Sequence, residues 1–203
     1  MHVTTTRLPG LLRLIPEPHH DERGLFTRTF DTAVASEAGI DPGSFLQDSQ
    51  SRSRRGVVRG LHGRVGRGEA KLVRVSHGAV FDVVVDARPD SPTFGEVETF
   101  ILDDETFTSL YIPRGVLHGH QTLTSTADFC YRIDAMHNPA EDISVHHLDG
   151  DLAIPWPVPI GVVSERDRVA GSWQDLVTRL RMTADPDPDP DPDPDPDPDP
   201  DEH

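Results

Sequence analysis

The sequence predicts an all-β fold, a double-sheet jelly roll with few short helices, and three observations predict it. Short runs rich in Val, Ile, Phe and Thr recur from about residue 11 to 133. Turn signals such as S-H-G, R-P-D-S-P and P-R-G separate them, as in strands joined by tight connections. Only two stretches carry helical spacing, so the strands must cover one another as a sandwich or barrel. The lengths suit the cupin kind of jelly roll, whose open mouth can hold a ligand.

Taken in order, the expected strands are Leu11–Ile15, Leu25–Phe30, Phe45–Ser51, Val57–His62, Lys71–Ser76, Val80–Asp86, Glu96–Leu102, Ser109–Ile112, Gly119–Leu123 and Phe129–Ile133. The expected helices are Thr32–Ala38 and Trp173–Arg181. Ser172 is placed to cap the second, with Asp175 three residues on. Trp173, Leu176, Val177 and Leu180 recur at helical spacing there, a packing face rather than a functional one.

The chain divides into a cupin-like domain, residues 1–184, and a tail, residues 185–203. Of the formal charge of −16, the nine aspartates alternating with proline from Asp185 to Asp201, with Glu202, supply −10. This Asp-Pro tail has nothing apolar to bury, and its like charges repel, so it is expected to be disordered and solvated, without a catalytic role. The −6 left to residues 1–184 gives no sign of nucleic-acid binding. The single cysteine, Cys130, excludes an internal disulfide and suits a reducing compartment. No apolar run approaches the ~20 residues that span a bilayer, and the N-terminus lacks the apolar stretch of a signal peptide. A soluble, cytoplasmic protein with no membrane partner is expected.

Residues 57–86 carry the chemistry. His62 closes an apolar run, Arg59 lies three residues before it, and Lys71 opens the next strand. Three ionisable groups in one β-lined cavity make a poor core but a workable reaction site. Abstracting a proton next to a carbonyl needs a base and cations to hold the developing charge. Strict alternation puts Val58, Gly60 and His62 on one face and Arg59 on the other, so both side chains enter one cavity only if a bulge or bend re-aims one of them. A metal site is not expected. His62 is followed by Gly63 and Arg64, so the H-x-H pair of metal cupins is missing. His118 and His120 flank a glycine without a carboxylate to complete a ligand set.

Ten blocks recur in register: R-G-L-F at 23–26, Q-D-S at 47–49, R-G-L-H at 59–62, A-K-L-V-R-V at 70–75, V-F-D-V-V-V-D at 80–86, S-P-T-F-G at 91–95, I-P-R-G-V-L-H-G at 112–119, Y-R-I-D at 131–134, I-P-W-P at 154–157 and S-E-R-D at 164–167. Together they resemble the dTDP-4-dehydrorhamnose 3,5-epimerase family, over about residues 8–172. The resemblance implies cofactor-free epimerisation of a nucleotide-linked 4-keto-6-deoxyhexose, whose keto group acidifies C3 and C5. It makes His62 the base, Asp167 its orienting partner, Tyr131 the acid on the opposite sugar face and Lys71 the enolate stabiliser, with His118 near the same oxygen. Arg23 and Arg59 match positions that hold the diphosphate, a role that suits the planar guanidinium, and Arg166 is a further phosphate contact. Phe26 and Gln47 match positions near the nucleobase and sugar. Arg28, Ser49, His137 and Asp142 complete the expected binding set, and a homodimer is implied.

The chain departs from the family pattern at Arg28 (usually glutamate), Ser49 (asparagine), Gly63 (aromatic), His120 (phenylalanine) and His137 (tyrosine). These departures leave the base, acid and enolate stabiliser in place and fall on positions that grip the substrate, so they bear on its identity. Three other readings stay open: a cupin sugar 3,4-ketoisomerase, a nucleotide-sugar-binding domain without turnover, and a metal-dependent cupin oxygenase.

Overall fold

A computed structural model of the chain describes residues 1–184; the Asp-Pro tail, and with it the boundary expected at 184/185, lies outside the described residues. Thirteen strands, β1 His2–Thr5, β2 Leu12–Ile15, β3 His19–Asp21, β4 Gly24–Phe26, β5 Gln47–Arg54, β6 Val58–Arg64, β7 Lys71–His77, β8 Ala79–Asp86, β9 Val97–Asp103, β10 Ser109–Ile112, β11 Val116–Thr122, β12 Thr126–Ile133 and β13 Asp142–Ser144, and three helices, α1 Thr32–Glu37, α2 Glu165–Arg168 and α3 Trp173–Ala184, make up the described residues, with a 3-10 turn at Pro42–Ser44. Two antiparallel sheets form the body: β1-β2-β10-β7-β12-β5 and β13-β6-β11-β8-β9. The hairpin β3-β4 stands apart from both.

The pleat explains where the core sits. Alternate residues of β8, Val80 and Val84, face Val73, Val75, Leu110 and Phe129 of the other sheet, whereas Val83 and Val85 turn outward against Trp173, Leu176 and Val177 of α3. Helix α3 therefore covers the five-stranded sheet with the face its spacing predicted. Its start is a reciprocal cap: Asp175 N–H donates to Ser172 Oγ (3.1 Å) and Ser172 N–H to Asp175 Oδ2 (2.9 Å). On the other outer face, Ala35 of α1 and Ile40 pack on Leu14 and Leu72.

Several expectations are corrected. The strand expected over Leu25–Phe30 is confined to Gly24–Phe26, because it pairs only with the three residues of β3. The strand expected from Gly119 begins at Val116, so His118 lies inside it rather than in the preceding turn. Strands β1, β3 and β13 and helix α2 were not anticipated, all being four residues or shorter. Too short to show a period, they are held by tertiary pairing.

The bulge required at R-G-L-H is present. In the β6/β11 ladder His62 pairs with His118 and Arg59 with His120, so three steps on β6 match two on β11. The extra residue returns Arg59 to the face of His62. Gly60 makes this possible: its φ is +122°, and a Cβ there would lie 2.6 Å from Gly119 Cα and 2.8 Å from His118 O.

Candidate active site

Between the sheets, at the mouth of the roll, lies a cavity of about 450 Å³, large enough for most of a small ligand. His62, Lys71, His118, Tyr131, Asp167, Arg59, His137, Asp142 and Arg166 all line it. Five strands, the loop before β13 and helix α2 thus bring nine of the expected site residues together. The other five do not line it. Arg23, Phe26 and Arg28 sit on or just after the β3-β4 hairpin. Phe26 is 68% exposed, which excludes a core role in this chain, Arg23 pairs with Asp21 and Arg28 with Asp31. Gln47 opens β5 opposite Ile133, and Ser49 lies cross-strand from Tyr131, but neither borders the cavity.

His62 Nε2 is 2.6 Å from Asp167 Oδ1. Asp167 sits on α2, almost fully buried, where Ser164 caps the helix by accepting from its N–H, and the Gly60 N–H donates to its second oxygen at 3.3 Å. Burial pushes this carboxyl up, but the bond and charge of His62, helped by the Gly60 and Ser164 contacts, outweigh it, and the pKa falls below the usual carboxylate range. Asp167 is therefore an ionised partner that fixes the ring of His62.

A second histidine–carboxylate pair lies deeper. His118 Nε2 is 2.8 Å from Asp82 Oδ2, and Asp82 is wholly inaccessible. Burial drives the Asp82 carboxyl well above its ordinary value, Lys71 opposing. Burial, then Lys71 and His62, drives His118 well below. The pair thus holds one proton between two groups and carries no net charge. His120 stacks on Phe129 with ring centroids 4.1 Å apart. Burial, His118 and Arg59 lower its pKa as well, so it enters the cavity as a neutral ring with Nε2 unpartnered.

The sequence reading missed Asp82, Glu69 and Arg64. Asp82 had a signal, a carboxylate within V-F-D-V-V-V-D on the inward face shared by Val80 and Val84. Glu69 lines the cavity with its carboxylate 3.0 Å from Lys71 Nζ and 3.0 Å from Arg64 Nε. Arg64 also donates to Met136 O at 2.8 Å and reaches His137 Nδ1 at 3.3 Å. Nothing in the local sequence marks that cluster, because Arg64 and Glu69 are separated by a loop that only the fold closes. Among the described residues, no group of three or more His, Cys, Asp or Glu side chains is placed to hold a metal ion.

The arrangement can remove a proton with His62, hold negative charge near Lys71 and His118, and supply a proton from Tyr131. Comparison with known proteins points the same way. Residues 5–175 match the family model described as dTDP-4-dehydrorhamnose 3,5-epimerase. The chain is 38% identical over 174 residues to the dTDP-4-dehydrorhamnose 3,5-epimerase of Methanothermobacter thermautotrophicus, covering 84% of this chain and 92% of that one. It is 39% identical over 171 residues to a dTDP-4-dehydrorhamnose 3-epimerase of Streptomyces niveus, covering 84% and 83%. Among solved structures, a dTDP-6-deoxy-D-glucose-3,5-epimerase of Legionella pneumophila in complex with dTDP-4-keto-L-rhamnose superposes with a TM-score of 0.81 at 38% identity, covering 88% of this chain and 97% of that one.

Proposed function

This chain belongs to the dTDP-4-dehydrorhamnose 3,5-epimerase family, and we propose that it epimerises a dTDP-linked 4-keto-6-deoxyhexose at C3, C5 or both, without a cofactor, in deoxysugar biosynthesis. The observation that carries this reading is the His62–Asp167 pair, 2.6 Å apart, opening into the same cavity as Lys71 and Tyr131. His62 takes the proton from the carbon beside the keto group, and the ionised Asp167 stabilises the imidazolium that results. The electron pair moves onto the C4 oxygen, where the Lys71 ammonium meets it. Burial favours the neutral form of both Asp82 and His118, and a proton shared between Asp82 Oδ2 and His118 Nε2 leaves the ring its own proton on Nδ1, an N–H it can offer to the same oxygen. Tyr131 returns a proton to the carbon from the opposite face, which inverts the centre. Arg59 and Arg166 stand at the cavity edge for the diphosphate.

A single-site reaction at C3 is the second reading, favoured by the similarity to the Streptomyces niveus 3-epimerase. Proton NMR of dTDP-4-keto-6-deoxyglucose with the protein in deuterium oxide separates the two. Deuterium at C3 and C5 indicates double epimerisation, and at C3 alone the single-site reaction. His62→Ala should abolish exchange at every position; exchange persisting at the native rate would overturn the mechanism.

The substrate-binding roles of Arg23, Phe26 and Arg28 are compatible with this geometry only through a second copy of the chain, because the hairpin lies in solvent, away from its own cavity. A homodimer in which each protomer lends its hairpin to its partner accounts for the exposed Phe26 and for the absence of Arg23, Phe26 and Arg28 from the lining. Cytoplasmic residence fits the lone Cys130; among the described residues no helix is long and apolar enough to cross a membrane.

A further inference from the structure

The enolate stabiliser does not stand alone. Lys71 is the first residue of β7, and its ammonium sits 3.0 Å from Glu69 Oε1, while the other oxygen of that carboxylate lies 3.0 Å from Arg64 Nε. All three side chains are at most 10% exposed. The backbone that carries Glu69 is fixed as well: the Ala70 N–H donates to Asp134 Oδ1 at 2.7 Å and the Asp134 N–H to Ala70 O at 3.2 Å, which extends the β7/β12 ladder past Lys71. Arg114 holds Asp134 in turn.

We propose that Glu69 is a positioning residue for Lys71, and that Arg64 makes this possible by sharing the carboxylate. The inference rests on the epimerase reading of the site. A lysine has four rotatable side-chain bonds and three donors. One donor spent on Glu69 fixes the ammonium and leaves two for an oxygen of the substrate. A lone carboxylate at that place would also repel the enolate. Arg64 lies against its second oxygen as a charge contact, and Asp142, which also meets Arg64, is matched by Arg166 at 3.2 Å; the three cations and two carboxylates together carry one net positive charge, so the cavity keeps a cation where negative charge develops. Arg64 is held at all three nitrogens: Nε also meets Asp142 Oδ1 at 3.3 Å, Nη1 donates to Met136 O and Nη2 reaches His137 Nδ1.

The test is Glu69→Gln assayed on dTDP-4-keto-6-deoxyglucose. We expect kcat of the folded protein to fall about tenfold, in the range for outer partners of a catalytic group, with KM within about twofold. Glu69→Asp, which keeps the charge but shortens its reach, should fall between the two and guards against a folding defect in the amide variant. In a Lys71→Met background, followed by slow deuterium incorporation, Glu69→Gln should cost nothing further, since coupled residues are not additive. Unchanged kcat in both Glu69 variants, or the same loss with and without Lys71, would overturn the proposal. A native chain inert towards the sugar overturns the epimerase reading and this inference with it. An active native chain with Glu69 variants of native kcat overturns the inference alone.

Discussion

Strand β8 carries two aspartates four residues apart, Asp82 and Asp86, on the same inward face and both wholly inaccessible to solvent. They have opposite fates. Asp86 accepts from Arg88 Nε, Arg88 Nη2, the Arg88 N–H, Ser91 Oγ and Thr93 Oγ1, at 2.6–3.1 Å. Burial pushes it up, but these donors outweigh burial and bring its pKa down to about 2. Asp82 has one partner, His118, and its second oxygen has none; its pKa is driven well up. At the end of β8 a carboxylate is fully satisfied and holds the turn that follows. Four residues earlier the same residue type, behind His118, is left short of donors and its pKa rises. What separates the two acids is therefore the supply of donors set against burial: five bonds overcome it at Asp86 and one does not at Asp82.

The largest expected effect breaks the Asp82–His118 pair. Asp82→Leu, which keeps most of the volume but offers His118 Nε2 no hydrogen-bonding group, should lower kcat by about 10²–10³-fold, ~3–4 kcal/mol of barrier, the range for losing one oriented oxyanion donor. Its unfolding temperature at pH 7 should be unchanged or higher. A carboxyl whose folded pKa is raised adds stability only at low pH and loses it as pH rises through that value, so at pH 7 there is little stability to remove. At Asp86 the balance reverses. Asp86→Asn should destabilise by about 2–3 kcal/mol, from loss of charge-assisted bonds in the interior, with native kcat in the folded fraction. Denaturant unfolding and single-turnover assays on both variants would measure this. Similar loss of activity in both would break the comparison.

Acid titration sharpens it. Asp86 is depressed from 3.8 to about 2, so its contribution is complete above pH ~4 and is lost as pH falls towards 2, about 2 kcal/mol in all. Native protein should show that loss between pH 4 and 2, and Asp86→Asn should not.

The same contrast explains what was legible in the sequence. The strand pattern, the packing face of α3 and its Ser172–Asp175 cap could be read because each is local in the chain. The R-G-L-H bulge could be posed as a requirement, since alternation alone separates Arg59 from His62. Asp167 could be matched through S-E-R-D, but its burial depends on α2 reaching β6, more than a hundred residues back. Asp82 and Asp86 look alike in V-F-D-V-V-V-D. Only the positions of Arg88, Ser91 and Thr93 on one side and of His118 on the other tell them apart. Glu69 and Arg64 were passed over for the same reason: a loop closes them onto Lys71, and no period records that closure. Arg23 and Phe26 match the family blocks, yet this chain alone leaves them in solvent.

The smallest predicted effect is the most discriminating. Thr93→Val replaces a hydroxyl with a methyl of nearly the same volume, so packing changes little. Asp86 Oδ2 loses one donor and keeps Arg88 Nη2 and Ser91 Oγ. The expected cost at pH 7 is about 1–2 kcal/mol, that of one hydrogen bond to a charged acceptor. Because the lost bond is one of those that depress the Asp86 pKa, the acid transition should also begin at higher pH. Below about pH 2 Asp86 is protonated in native protein and variant alike, and the gap between them should shrink. Denaturant midpoints at pH 7 and pH 2 decide it: equal costs at both would mean that the hydroxyl acts through packing, and a cost confined to pH 7 would mean that Asp86 owes its low pKa to the number of its donors.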